Sequence, residues 1–374
     1  MSLVRTEDQE SIQRAARAFV QAKMPVSHLR ALRDTRDAAG LSREVWREMA
    51  SLGLAGVTLP EAYGGGGLGF AELAIVLEEC GRSLAPTPMI ASVVLGAGAI
   101  AIAGTDAQKG AHLPAVAAGD ELLAFAHEEG TRHAPYAIAA RAEKSGAGWT
   151  ITGEKSMVLD GHVADFFVVV ARSGGAGREG LGLFLVPRSA GGVTVTRLSI
   201  VDSRNAARVR FDGAEGEALG DAANGADVLD ALLDRGAAAL SAEMLGGAIE
   251  AFSRTVAYLK ERKQFGVLIG SFQALKHRAA QLFCEIELTK SIVREACVAI
   301  DEGRGDARAL VSAAKARATD TFLLVSSEAV QMHGGIGVTD ELDIGFFLKR
   351  ARVAGMTFGD AAFHRDRFAR IGGY

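Results

Sequence analysis

Ala207-Arg208-Val209-Arg210-Phe211 is the stretch on which the fold turns. Val209 and Phe211 alternate with Arg208 and Arg210, the period-two mark of an antiparallel strand with one wet face. Upstream, short β-like runs follow one another at 122–126, 149–152, 166–171, 181–186 and 193–198, most of them separated by turn glycines. Residues 119–220 are therefore expected to form a small antiparallel β-barrel or sandwich. On both sides of this segment the apolar period becomes helical. Residues 1–118 read as a helical domain in which Val45, Met49 and Leu52 recur at four- and three-residue steps. Residues 221–374 read as a helix bundle. Its first helix carries one apolar stripe through Leu229, Leu232, Leu233, Leu240, Met244, Ile249, Phe252, Val256 and Leu259. The fold class is α+β, ordered helices, strands, helices. Gly246-Gly247 sits inside the long helix, where two glycines cost about 1 kcal/mol each, so another helix or a flat ligand is expected against that backbone.

Composition narrows the function. The chain has 374 residues, 49% hydrophobic and 23% charged, the balance of a soluble multidomain protein. With 41 Lys plus Arg against 45 Asp plus Glu, the net charge of -4 provides no basic surface for nucleic acid. No apolar run reaches the roughly 18 to 20 residues of a membrane span, and Met1 to Glu7 do not read as a signal peptide. A cytoplasmic enzyme is expected. Cys80, Cys284 and Cys297 lack zinc-site spacing and are each expected to be small buried residues. The glycine run Tyr63-Gly64-Gly65-Gly66-Gly67-Leu68-Gly69 reads as a tight turn between helices. A phosphate cradle is disfavoured because no Lys-Ser/Thr follows it.

The blocks richest in chemistry are Tyr258-Leu-Lys-Glu-Arg262-Lys-Gln264-Phe265-Gly266, Phe272-Gln273-Ala-Leu-Lys276-His277 and Gln331-Met-His333-Gly334-Gly335-Ile-Gly337. Arg262 offers a planar cation that can fork onto a pyrophosphate, and Gln273 offers both an acceptor and a donor to an adenine or ribose. The glycines Gly334, Gly335 and Gly337 let a cofactor approach the backbone. These blocks resemble the acyl-CoA dehydrogenase family. The resemblance continues through Trp46-Arg-Glu-Met-Ala-Ser-Leu-Gly-Leu-Ala, Pro60-Glu-Ala-Tyr63-Gly64-Gly65 and Leu77-Glu78-Glu79, in the same order and spacing across nearly the whole chain.

The resemblance implies an FAD enzyme that dehydrogenates an acyl-CoA thioester to the 2-enoyl-CoA, with electron-transfer flavoprotein as electron acceptor. It implies that Arg262, Gln264, Phe265, Gln273, Gln331, Gly334 and Gly335 bind FAD from two sides of a subunit interface, in a homotetramer or another homo-oligomer. In the family reaction a carboxylate removes the α-proton while the β-hydrogen leaves as hydride. In many members the base is a Glu followed by Gly-Thr, but here Phe358 stands in its place within Met356-Thr357-Phe358-Gly359-Asp360. Glu243 and Asp360 are the substitute candidates, set against helix pairing for Glu243 and helix capping for Asp360. Glu243 is preferred, because a helix holds a base more rigidly than a loop. The family's flavin-contacting Thr-Glu-Pro-Gly loop and Trp-Ile-Thr segment are replaced by His127-Glu128-Glu129-Gly130 and Met157-Val158-Leu159. A lone His such as His127 is expected to be exposed more often than to donate to a flavin. These departures keep two alternatives open: a degenerate partner subunit in a hetro-oligomer with a related chain, and a flavin-dependent oxidase or monooxygenase of the same fold.

Overall fold

The computed structural model describes residues 5–146 and 148–374. Eleven α-helices lie among them: α1 (Glu7–Lys23), α2 (Val26–Asp34), α3 (Arg43–Ser51), α4 (Phe70–Arg82), α5 (Gly98–Ala103), α6 (Asp106–Ala117), α7 (Ala226–Glu261), α8 (Gln273–Asp301), α9 (Ala307–His333), α10 (Ile344–Met356) and α11 (Ala361–Ile371). The strands are β1 (Leu123–Ala126), β2 (Arg141–Ser145), β3 (Gly148–Leu159), β4 (Phe166–Arg172), β5 (Leu181–Pro187), β6 (Val193–Leu198), β7 (Ala206–Leu219), β8 (Lys263–Gln264) and β9 (Val267–Leu268). They assemble into two compact units, each drawn from separate stretches of chain. One comprises Met1–Ala31, Phe70–Ala85 and Ala237–Tyr374, and the other Leu32–Gly69 and Pro86–Gly236.

In the helical unit α1 starts at a capping box, with Thr6 accepting from Gln9 N, and carries Glu7, Asp8 and Glu10 against the positive end of its dipole. Arg17 and Gln13 reach Glu79 of α4 at 2.8 Å, and Arg5 reaches Glu78 at 3.0 Å, so these two buried carboxylates are paired. Another helix is what meets the glycine pair of α7. A Cβ on Gly246 would lie 1.9 Å from Glu78 O, and one on Gly81 of α4 would lie 2.0 Å from Glu243 O. A Cβ on Gly247 would lie 2.5 Å from the Phe322 ring of α9. The glycine penalty is offset by burial of Leu77, Met244, Leu245 and Phe322, each worth about 1.5–3 kcal/mol.

In the other unit the strand pairings form a ring. β4 pairs β5, β5 pairs β7, β7 pairs β3 and β3 pairs β2, and the single pair Arg141↔Arg172 returns β2 to β4. Two features correct the sequence expectation. The sheet is mixed, because β1 and β2 run parallel to β4. Val168, Val169 and Val170 are buried on both faces, which turns β4 into a continuous apolar run, where alternation marks a one-faced strand. The second is β2, which carries no apolar alternation and so escaped detection; only Ala142 of its five residues is buried. The buried face of α3 is Trp46, Met49 and Ala50, while Leu52 is 58% exposed just beyond the helix. In the glycine run, Gly66 N, Gly67 N and Leu68 N donate to the carbonyls of Gly56, Leu59 and Val57, so those amides are unavailable to a phosphate and the turn reading stands. Cys80 and Cys297 are buried, but Cys284 is exposed, contrary to expectation. Among the described residues no helix is long and apolar enough to cross a membrane.

Candidate functional site

The chain leaves α7 at Glu261 and turns through the two-stranded hairpin β8–β9 before α8 begins. Phe265 and Gly266, at the tip, have φ of 54° and 80°. Phe265 is 90% exposed, and only the edge of Phe272 meets its ring, at 6.1 Å. Among the described residues the Arg262 side chain makes no hydrogen bond or ion pair. Gln264 Nε2 bonds only to Lys263 O at 2.9 Å, and Gln273 Oε1 only to His277 Nε2 at 3.3 Å. The other block sits at the C-terminal end of α9. There Tyr258 stacks on His333 at 4.4 Å, which sets the exit of α7 beside the end of α9 within one chain. Gln331 is exposed, and Gly334 ends the helix with φ 65° and ψ -146°, a backbone region that favours glycine. The three glycines then separate. A Cβ on Gly337 would lie 2.4 Å from Val330 O, so packing requires that glycine. A Cβ on Gly335 would meet nothing within 4 Å, so its own chain gives no reason for glycine there. A free guanidinium, an exposed aromatic ring and bare backbone suit a large anionic ligand or a second chain.

The two carboxylates are occupied. Glu243 lies mid-way along α7 with a side chain 13% exposed, and Arg350 of α10, 4% exposed, donates to it at 3.2 Å. Asp360 is exposed and caps α11 by accepting from Phe363 N at 2.8 Å. A cavity of about 320 Å³ lies beside α7, lined by Ala74, Ile75, Ala242, Leu245 and Val293 with Arg5 and Arg294 at its polar side; neither Glu243 nor Asp360 lines it. Phe358 itself has φ 57° and Gly359 has φ 96°. Two buried side chains pin this turn: His364 Nε2 donates to Phe358 O at 2.9 Å, and Lys315 Nζ donates to Gly359 O at 2.9 Å. Lys315 also donates to Ala354 O and Gly355 O, both at 3.2 Å, and so closes the C-terminal end of α10. Burial pulls its ammonium down to about 7.

The loop after β1 is also organised by charge. His127 is 3% exposed, so the expectation of an exposed His fails, and its Nε2 donates to Pro135 O at 2.9 Å. Burial pushes the Glu128 carboxyl up, but the hydrogen bonds and charges of His127 and His133 override it and hold the group at about 2. Lys155, fully buried in β3, donates to Glu129 Oε1 at 2.6 Å and to His127 O at 3.2 Å. Burial draws its ammonium down to about 8. The pairing of β3 with β7 slips between Lys155 and Val158, and this bulge leaves Met157 38% exposed with φ 50° while Val158 and Leu159 stay buried.

Sequence reasoning did not single out Lys315, Arg350, Lys155 or His133. Lys315 and Arg350 did carry a signal. Val311, Lys315, Ala318 and Phe322 follow the core period of α9, as Phe346, Phe347, Arg350 and Ala354 do in α10, and a cation on a core stripe needs buried acceptors.

The chain matches the family profiles described as acyl-CoA dehydrogenase N-terminal, middle and C-terminal domains over residues 6–120, 124–214 and 223–372. It is 32% identical to the acyl-CoA dehydrogenase FadE12 of Mycobacterium tuberculosis, over 94% of this chain and 92% of that one. Among solved structures it is similar to the Tcur3481–Tcur3483 steroid ACAD, with 34% identity, a TM-score of 0.90 and 98% of both chains covered. It is also similar to the ChsE4–ChsE5 complex of Mycobacterium tuberculosis, with 27% identity, a TM-score of 0.90 and coverage of 100% of this chain and 99% of that one. Three consecutive profiles and a relative matched along nearly its whole length lead to one conclusion: this chain belongs to the acyl-CoA dehydrogenase family of oxidoreductases.

Proposed function

We propose that this chain holds FAD and takes part in the α,β-dehydrogenation of an acyl-CoA thioester to the 2-enoyl-CoA. The observation that carries the reading is the spare capacity around the α7–α8 hairpin and the end of α9. Arg262 has no carboxylate partner among the described residues, Phe265 is 90% exposed, and the space at Gly335 is open. In this reading Arg262 forks onto the pyrophosphate, Gln273 addresses the adenosine side, and Gln331, Gly334 and Gly335 receive the cofactor held by a neighbouring chain, with Gln264 and Phe265 at the same surface. Bound FAD supplies the hydride acceptor. Glu243 is the residue assigned to remove the α-proton. Arg350 holds its carboxylate at 3.2 Å and α7 fixes its backbone. Electron-transfer flavoprotein is the proposed electron acceptor, and the cytoplasm the proposed location.

A second reading is supported by the engagement of both carboxylates, Glu243 with Arg350 and Asp360 with the Phe363 amide of α11. In it the chain completes a flavin site in a hetero-oligomer while a related chain supplies the base. The two-component names of the steroid ACAD and the ChsE4–ChsE5 complex accord with this arrangement. Either way an oligomer is required, a homotetramer in the simplest case. Phe265, Phe283, Leu288 and Val338 are all more than half exposed, as expected of surfaces that another chain covers. Anaerobic stopped-flow mixing of the flavin-loaded protein with a panel of acyl-CoAs separates the readings. Bleaching by the chain alone supports the dehydrogenase, and bleaching only after a related chain is added supports the partner subunit. Rapid reaction of reduced protein with oxygen would instead favour an oxidase or monooxygenase.

A further inference from the structure

The loop after β1 gathers more ligand chemistry than a connection between strands needs. One ligand-type atom from each of His127, Glu128 and His133 lies within 4.8 Å of the other two. The Nε2–H of His127 donates to Pro135 O at 2.9 Å. Its Nδ1 faces Glu128 Oε1, 3.6 Å away. That separation is longer than a hydrogen bond and near the spacing of two ligands on one small metal ion. A tetrahedral zinc with ligand bonds of about 2.0–2.1 Å sets neighbouring ligands roughly 3.4 Å apart. The same carboxylate oxygen accepts from Nδ1 of His133, whose side chain is 6% exposed.

We propose that His127, Glu128 and His133 form a site for one divalent transition-metal ion, with Zn²⁺ the best match. Two imidazole nitrogens and one carboxylate oxygen suit zinc, whereas magnesium and calcium favour oxygen donors throughout. The Pro135 carbonyl fixes the His127 tautomer from outside the ligand set. The ion takes Nδ1 of His133, whose ring proton moves to Nε2, and a fourth position remains for water. Two of the three ligands are held ready. His127 O accepts from Lys155 Nζ at 3.2 Å, Glu128 O accepts from Ser156 N at 2.7 Å, and Glu129 binds Lys155 Nζ together with the amides of Ala139 and Ala140. His133 follows the exposed Thr131-Arg132 turn, which supplies the adjustment needed to close around the ion. The site lies within one compact unit, in the loop that stands where the family's flavin-contacting loop does, and zinc uptake is read without reference to flavin reduction, so its failure and that of the dehydrogenase reading are distinguishable.

The test uses the full flavin-loaded chain, stripped of metal with a chelator and titrated calorimetrically with Zn²⁺. One equivalent per chain is expected, together with a rise in melting temperature that Mg²⁺ does not produce. Glu128→Gln and His133→Gln should each weaken zinc binding by about tenfold to a hundredfold or more. Wild-type protein that takes up no zinc, or variants that bind it equally well, would overturn the proposal. If a variant fails to fold, Co²⁺ added to the wild type decides: strong tetrahedral absorption to the red of the flavin bands supports the site, and weak octahedral absorption or none refutes it.

Discussion

Arg262 and Glu243 belong to one helix and its exit, roughly five turns apart, yet they live under opposite rules. At the exit of α7 the polar and aromatic groups are held in reserve: Arg262 unpaired among the described residues, Phe265 in solvent, and Gly335 facing open space at the neighbouring end of α9. In the middle of α7 everything is committed, with Glu243 on Arg350 and the surrounding backbone pressed against Gly81 and Phe322. A group in reserve has affinity to give to a ligand. A committed group must first break a contact before it can act on one, which is why cofactor binding is the more strongly supported half of the proposed function.

The largest expected effect tests whether the committed region does chemistry. If Glu243 is the base, Glu243→Gln should slow flavin reduction by about 10²–10⁴-fold while FAD stays bound. Asp360→Asn should change the rate little, since an Asn still caps α11. Stopped-flow reduction checks both, and equal rates for wild type and both variants would remove these carboxylates from the mechanism. At the other end of the helix, Arg262→Ala should weaken FAD binding by about tenfold to a hundredfold, the worth of a charge-assisted hydrogen bond of roughly 1.5–3 kcal/mol. Unaltered flavin occupancy on dilution would erase the contrast between the two regions.

A smaller effect is expected at the turn that replaces the family's Glu. Lys315→Met strips donors from the carbonyls of Ala354, Gly355 and Gly359, at about 1–3 kcal/mol for a buried acceptor left unpaired. Because burial lowers the Lys315 pKa from 10.5 to about 7, the unfolded chain binds the extra proton between those values. Wild-type stability should therefore rise relative to Lys315→Met as pH increases from about 7 towards 10.5, and chemical denaturation across that range would show the slope. An advantage that instead shrinks with rising pH would mean that the carbonyl acceptors stabilise the ammonium by more than burial disfavours it. The smallest effect is the sharpest. Gly335→Ala should leave stability within about 0.5 kcal/mol, because nothing lies within 4 Å of the added methyl, yet lower FAD affinity if ligand or neighbour comes close. Loss of stability without loss of flavin would place the constraint inside the chain.

What the sequence determined by itself was periodic or local. Helical period on either side of a β segment yielded the α, β, α order, since burial of one face repeats along each element whatever covers it. The capping of α11 by Asp360 could be read from its position before an apolar helix, because a cap involves residues only a turn apart. The blocks around Arg262 and Gln331 were readable as contiguous motifs. Tertiary structure alone decided what meets Gly246 and Gly247, that Glu243 pairs with Arg350, that Lys315 closes α10, and that His133 turns back onto Glu128. It also decided that β1 and β2 run parallel to β4. Period identifies the side of an element that is hidden. The partner that hides it comes from tens or hundreds of residues away, and only the packed chain brings the two together.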